Sequence, residues 1–129
     1  MPSSRAEAVA ILRRAAAVTC GNPDEVGAVA RLLADALGLP REKRLICFQS
    51  RLGRTPWIRP YTDELLRSEA RAGRRKAVIL SPAFVADCLE TLEELGIRGA
   101  EIWKENGGEL LELAPAPNAD DAWADAVLA

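Results

Sequence analysis

Apolar positions along the chain alternate between helical and strand-like spacing, and the switches divide it into short elements. Residues 5–17 are Ala-rich and permit a helix. Asn22-Pro23-Asp24-Glu25 predicts a helix start, with Asn as the cap, Pro at the first helical position and acids in the first turn. Val26, Val29, Ala30, Leu33 and Leu37 continue at helical spacing until Gly38. Residues 45–49 form an apolar run of strand length, followed by an irregular stretch over 50–60. Thr62-Asp63-Glu64 opens a second helix that Gly73 closes. Residues 77–80 (Ala-Val-Ile-Leu) predict a strand buried on both faces of a parallel sheet. Ser81-Pro82 breaks it, and residues 84–95 predict an amphipathic helix ended by Gly96. A further helix over about 99–106 stops at Gly107-Gly108, 110–113 is a third strand, and 120–128 a terminal helix.

Strands alternating with helices of crossover length predict βαβ units and a parallel sheet. The expected fold is α/β, a three-layer sandwich in a single domain over residues 1–129. In such sheets ligands sit beyond the carboxyl ends of the strands. The segments in that place are 49–60, 81–88 and 115–121.

Composition narrows the chemistry. Of 129 residues, 49% are hydrophobic and 28% charged, enough to bury a core. Seventeen Lys and Arg against nineteen Asp and Glu leave a net charge of −2, which argues against nucleic-acid binding. The sequence has no histidine, which removes Ser-His-Asp and Cys-His catalysis and imidazole metal ligands. Cys20, Cys47 and Cys88 are widely spaced, so buried thiols in a reducing cytoplasm are expected, with no disulfide framework and no iron–sulfur cluster. No run is long and apolar enough for a signal h-region or a membrane span.

Two clusters could carry chemistry. Asp87, Glu90 and Glu94 fall on one stripe of the helix predicted over 84–95, beside an apolar stripe of Val85, Leu89, Leu92 and Leu95 expected to face the sheet. Three carboxylates in a row should raise at least one pKa, and could hold a hydrated divalent ion or accept protons. A solvated helix face is the plainer reading. The second cluster is Phe48-Gln49-Ser50-Arg51 with Arg54, Trp57 and Tyr61, which could clamp a flat anionic ligand by stacking and pairing. Alternatively, Trp57 simply plugs the loop.

Phe48-Gln49-Ser50-Arg51-Leu52-Gly53, Pro56-Trp57-Ile58 and Pro60-Tyr61-Thr62-Asp63-Glu64 resemble the ferrochelatase family, as does the ordered run from Pro82 to Glu94 containing Asp87-Cys88-Leu89-Glu90. The resemblance covers residues 21–129, matching the family's C-terminal half, with 1–20 as a divergent helical segment. It implies a chelatase-like domain and haem biosynthesis by insertion of ferrous iron, a substrate rather than a cofactor, into a porphyrin dicarboxylate. It further implies that Glu90 is the catalytic, active-site glutamate that takes pyrrole protons or helps handle the metal, with Asp87 and Glu94 as acidic neighbours forming a proton or metal path. By the same resemblance Gln49, Ser50, Arg51, Trp57 and Phe84 border the porphyrin. Cys88 stands where some members carry histidine. The family's His-Gly-Leu-Pro type motif falls, without gaps, on Ile11-Leu12-Arg13-Arg14, and isoleucine can neither ligate iron nor accept a proton.

Three expectations follow. The chain is a ferrochelatase-class lyase active as a homodimer or with a complementary half-chain. Or it is a degenerate domain that binds porphyrin or metal without catalysis. Or it is an interaction domain that keeps only the fold.

Overall fold

The computed structural model describes residues 23–49, 53–54 and 56–128. They fall into two compact units, one reaching Ile46 and resuming at Pro117, the other spanning Cys47–Ala116.

In the first unit, helix α1 spans Pro23–Ala36. It ends as the sequence predicts. Gly38 takes φ 65°, and Leu39 N–H and Gly38 N–H donate to the carbonyls of Ala34 and Asp35, both at 3.0 Å. This pair of bonds satisfies carbonyls that the helix end leaves free. A 3₁₀ turn follows at Arg41–Lys43. Arg44 then reaches back to the Asp35 carboxylate at 2.6 Å and, through Nε, to the Leu39 carbonyl at 2.7 Å. The terminal helix (α4 below) covers Asp121–Leu128, where Asp120 Oδ1 caps the amides of Ala122 and Trp123 at 2.8 and 3.2 Å.

The second unit holds helix α2 (Thr62–Arg71), strand β1 (Lys76–Ile79), a π-helix (Glu90–Arg98) running directly into α3 (Gly99–Glu105), and strand β2 (Leu110–Leu113). The strands pair in parallel with Lys76 opposite Leu110 and Ile79 opposite Leu113. A strand–helix–strand crossover in an α/β arrangement is therefore present, as the alternation predicts.

Core packing explains its geometry. Ala77, Ile79 and Leu111 point to one face of the sheet and pack with Leu66, Ala70, Ile102 and Trp103. Trp103 is 2% exposed and satisfies its indole N–H on the Arg75 carbonyl at 3.2 Å. Gly107, at φ 102°, turns the chain out of α3. Gly108 then lies flat against the Trp103 indole, where a Cβ would collide with the ring. The Gly107-Gly108 helix stop is thus borne out, and its second glycine has a packing reason that spacing did not show.

Four expectations are corrected. The strand predicted over 45–49 shrinks to one bridge, in which Phe48 N–H donates to Pro60 and Thr62 N–H donates to Phe48 at 2.9 and 3.2 Å. The run 77–80 is not buried on both faces, since Val78 is 63% exposed and Leu80 and Leu110 are also open. A continuous apolar run does not say which face its neighbours cover. The helix predicted from residue 84 starts later, after turns at 82–86, and Gly96 does not end it. Gly96 and Gly99 instead let the helix approach the sheet, their missing Cβ positions lying 3.5 Å from Leu113 and Leu111 side chains. The apolar stripe is also split: Leu95 is buried while Val85, Leu89 and Leu92 are exposed.

Candidate functional site

An open cleft of about 520 Å³ lies within the second unit. Three stretches of chain build it: the bridge at Phe48 and Gln49, Tyr61 with the first turns of α2, and the π-helix together with the α3 residues that continue it. Phe48, Leu66 and Ile102 give it apolar walls; Gln49, Glu90 and Glu94 give it hydrogen-bonding and acidic groups. The Phe48–Tyr61 bridge fixes the first two pieces together. Tyr61 is buried beneath the Arg59 guanidinium, which sits 4.3 Å above its ring and pairs with Glu64 at 2.9 Å.

Gln49 and Glu94 meet across this cleft: the Gln49 amide donates to Glu94 Oε2 at 2.5 Å. A carboxylate held by a neutral amide keeps its charge available, unlike one neutralised by a lysine or arginine. Glu90 lines the same wall. The Cys88 thiol donates to the Glu90 carboxylate and, with a backbone contribution, holds its pKa below the usual carboxylate range. The expected upward shift is therefore not found at Glu90. Donors to the carboxylate outweigh the slight desolvation that would raise it.

The row Asp87, Glu90, Glu94 is not one helical stripe. Asp87 precedes the π-helix, and its Oδ1 stands 3.2 Å from the Thr91 hydroxyl and accepts from Ala116 N–H at 3.2 Å. Among the described residues, no three His, Cys, Asp or Glu side chains gather closely enough to hold a metal ion together.

Of the aromatic residues, Phe48 and Tyr61 line the cleft, whereas Trp57 and Phe84 take other places. Trp57 donates its indole N–H to the Gln49 carbonyl at 3.0 Å, so it braces the segment that carries Gln49 while its ring remains 39% exposed. Phe84 lies in the turn before the π-helix, where its N–H donates to Ser81 at 3.0 Å. Neither lines the cleft. Ser50, Arg51 and residues 1–20 lie outside the described residues.

Several cleft residues went unpredicted. Asp63 and Arg67 pair at 2.8 Å on α2 and both line it, a partnership their i,i+4 spacing could have indicated. Arg98 follows Glu94 by four residues, also lines the cleft, and pairs with Glu93 at 2.9 Å. The lining thus carries both signs of charge. Among the described residues no helix is long and apolar enough to cross a membrane.

Comparison with known proteins adds an independent line. The family model described as ferrochelatase matches residues 14–129. The ferrochelatase of Pseudomonas fluorescens (strain SBW25) is 52% identical over 99 residues, which is 77% of this chain and 29% of that protein. That of Pseudomonas syringae pv. tomato is 53% identical over 95 residues, 74% of this chain and 28% of the relative. For the Klebsiella pneumoniae (strain 342) protein the figures are 51% over 92 residues, 71% and 29%. The chain therefore spans under a third of the length of the curated relatives it matches.

Proposed function

This chain belongs to the ferrochelatase family, and from that premise we propose that its cleft takes part in haem biosynthesis by binding a porphyrin dicarboxylate and handling ferrous iron. The observation that carries the reading is the Gln49–Glu94 hydrogen bond, which joins two motif segments on one cleft wall with Glu90 beside it.

In this reading Glu90 is the catalytic acid–base group. Metallation releases two pyrrole protons, and the Glu90 carboxylate on the cleft wall can take one and pass it outward. Glu94 stands next on the wall, positioned by Gln49, and relays protons or a hydrated ion. Trp57, by bracing the Gln49 carbonyl, keeps the porphyrin-facing segment in register. Ser50 and Arg51 border the macrocycle by resemblance alone. Iron is substrate here, and no iron–sulfur cluster has a role.

We further propose that the 129 residues alone bind porphyrin but metallate it poorly. The sequence has no histidine to share the proton work, and Val85, Leu89 and Leu92 leave an apolar surface open beside the site. A second copy, or a chain carrying the rest of the family's cleft, would supply the missing wall. Cys47 and Cys88 are free thiols, which fits a cytoplasmic location.

An absorbance experiment tests this. Protein is added to a dicarboxylic porphyrin, with and without ferrous or zinc ion. A shifted Soret band without metallation is expected for the chain alone. Collapse of the four free-base bands to two, abolished by Glu90→Gln, would overturn the dependence on a partner and establish Glu90. An unchanged spectrum would overturn porphyrin binding altogether.

A further inference from the structure

Thr91 is buried to 1% exposure, yet it carries a hydroxyl and does not line the cleft. Burying a hydroxyl is costly unless it is fully bonded, so its surroundings call for an account. Its Oγ1 accepts from the Cys88 N–H at 2.9 Å and stands 3.1 Å from the Cys88 carbonyl and 3.2 Å from Asp87 Oδ1, either of which can take its one proton. The same Asp87 oxygen accepts from Ala116 N–H, on the chain leaving β2. Thr91 and Asp87 therefore tie the entrance of the helix to the exit of the sheet.

The entrance they tie is where the helical ladder changes pitch. Leu92 N–H still donates to Cys88, four residues back, at 2.9 Å. The helix then runs as a π-helix from Glu90 to Arg98, and at its far end Gly99 N–H donates to Glu94, five residues back. A threonine hydroxyl set against a carbonyl three residues earlier competes with the main-chain ladder and bends it locally. Such insertions are a recognised cause of distorted helical turns, and widened turns recur at functional sites.

We propose that Thr91 is the positioning residue of this cleft: its hydroxyl, working through Asp87 and Cys88, fixes the widened turn that sets Glu90 and Glu94 on the cleft wall. Asp87 is then a strut, its Oδ1 held between Thr91 and Ala116. The importance of the role rests on reading Glu90 and Glu94 as the working acids. The geometry it predicts can be tested without substrate.

The test is NMR on the full chain with Thr91→Val, which keeps shape but loses the hydroxyl, and Thr91→Ser, which keeps the hydroxyl. Two signals report it: the Gln49 side-chain amide proton, shifted by its bond to Glu94, and exchange protection of the Ala116 amide. In folded Thr91→Val, with the Trp103 indole signal in place, the Gln49 shift should be lost and Ala116 exchange should speed up about tenfold, the effect of losing roughly one hydrogen bond. Thr91→Ser should retain both. Folded Thr91→Val with both signals unchanged would overturn the proposal. Should Thr91→Val fail to fold, Thr91→Ser decides: loss of the Gln49 signal despite the restored hydroxyl would overturn it, and retention would support it. Porphyrin binding by the wild-type chain is measured separately, and its absence would sink the functional reading while leaving the NMR comparison to decide on Thr91.

Discussion

Gln49 and Glu94, forty-five positions apart in the chain, share a hydrogen bond of 2.5 Å across the cleft. The bond is partly buried and one partner is charged, so its loss should cost roughly 1–2 kcal/mol of stability. Gln49→Ala is expected to show that loss in urea unfolding. Glu94→Gln should cost less than half as much, since a neutral carbonyl still accepts from the amide, yet it should weaken zinc or ferrous ion binding in the porphyrin-loaded protein. Equal stability losses in the two variants would mean that the contact is incidental.

The contact between Gly108 and Trp103 gives a sharper stability prediction. A Cβ at residue 108 would overlap the indole of the most important core side chain of the second unit. Overpacking of this kind costs about 1–3 kcal/mol. Gly108→Ala should therefore lower the thermal midpoint and red-shift or broaden the Trp103 emission. Trp103→Ala, which leaves a cavity, should cost about 3–5 kcal/mol. A Gly108→Ala protein as stable as the wild type would show that the α3–β2 turn moves freely to make room.

These examples mark what was legible in the residues and what was not. The strand Leu110–Leu113, the turns at Gly38 and Gly107, and the start of α2 depend on local chemistry, and local patterns revealed them. The start of the π-helix depends on Thr91, Asp87 and Ala116, and the last of these lies 29 residues beyond Asp87. No period-3.6 reading can anticipate it, and helical spacing alone places Asp87 on a stripe with Glu90 and Glu94. Gln49, Glu90 and Glu94 stood out as chemistry-bearing residues by motif. Their convergence on one wall, by contrast, is a product of tertiary packing. The open face bearing Val78 has a related cause: composition reports how apolar a strand is, not what covers it.

Cys47 offers a test by alkaline pH. Burial raises its thiol pKa above the ordinary 9.0, a rise that a side-chain hydrogen bond with Thr62 partly offsets. A group whose folded pKa is raised binds its proton more tightly in the native state. Its contribution is fully present below pH 9.0 and is lost as the pH climbs through the folded value. The wild-type chain should therefore lose more stability as the pH climbs above 9.0 than Cys47→Ala does. Native Cys47 should also alkylate more slowly at pH 8 than the same cysteine in urea, because less thiolate is present. Parallel stability curves for the two proteins would show that the thiol does not titrate with folding.

Glu90 works in the opposite direction. The Cys88 thiol holds its carboxyl below the ordinary 4.5, so its stabilising contribution is present above that value and disappears as the pH falls through the folded one. Cys88→Ala removes the donor and should move the Glu90 titration, followed by carboxyl carbon NMR, back up toward 4.5. Cys88→Ser, which keeps a donor, should leave it depressed. No upward movement in Cys88→Ala would assign the shift to the backbone instead.

The exposed apolar surface beside the site is the last feature with a measurable consequence. Leu89 is 72% exposed, and Val85 and Leu92 are more than half exposed, all within eight residues at the entrance to the π-helix. Large uncovered apolar patches on a soluble chain favour association. Sedimentation of the 129-residue chain should show an average mass that rises with concentration. Leu89→Glu with Leu92→Glu should return it to a monomer of 13.9 kDa while the Gln49 amide signal persists, since neither leucine lines the cleft. If porphyrin metallation needs a second copy docked on this face, the double variant should bind porphyrin as before and lose any metallation the associated form shows. A wild-type chain that stays monomeric at high concentration would rule out the homodimer.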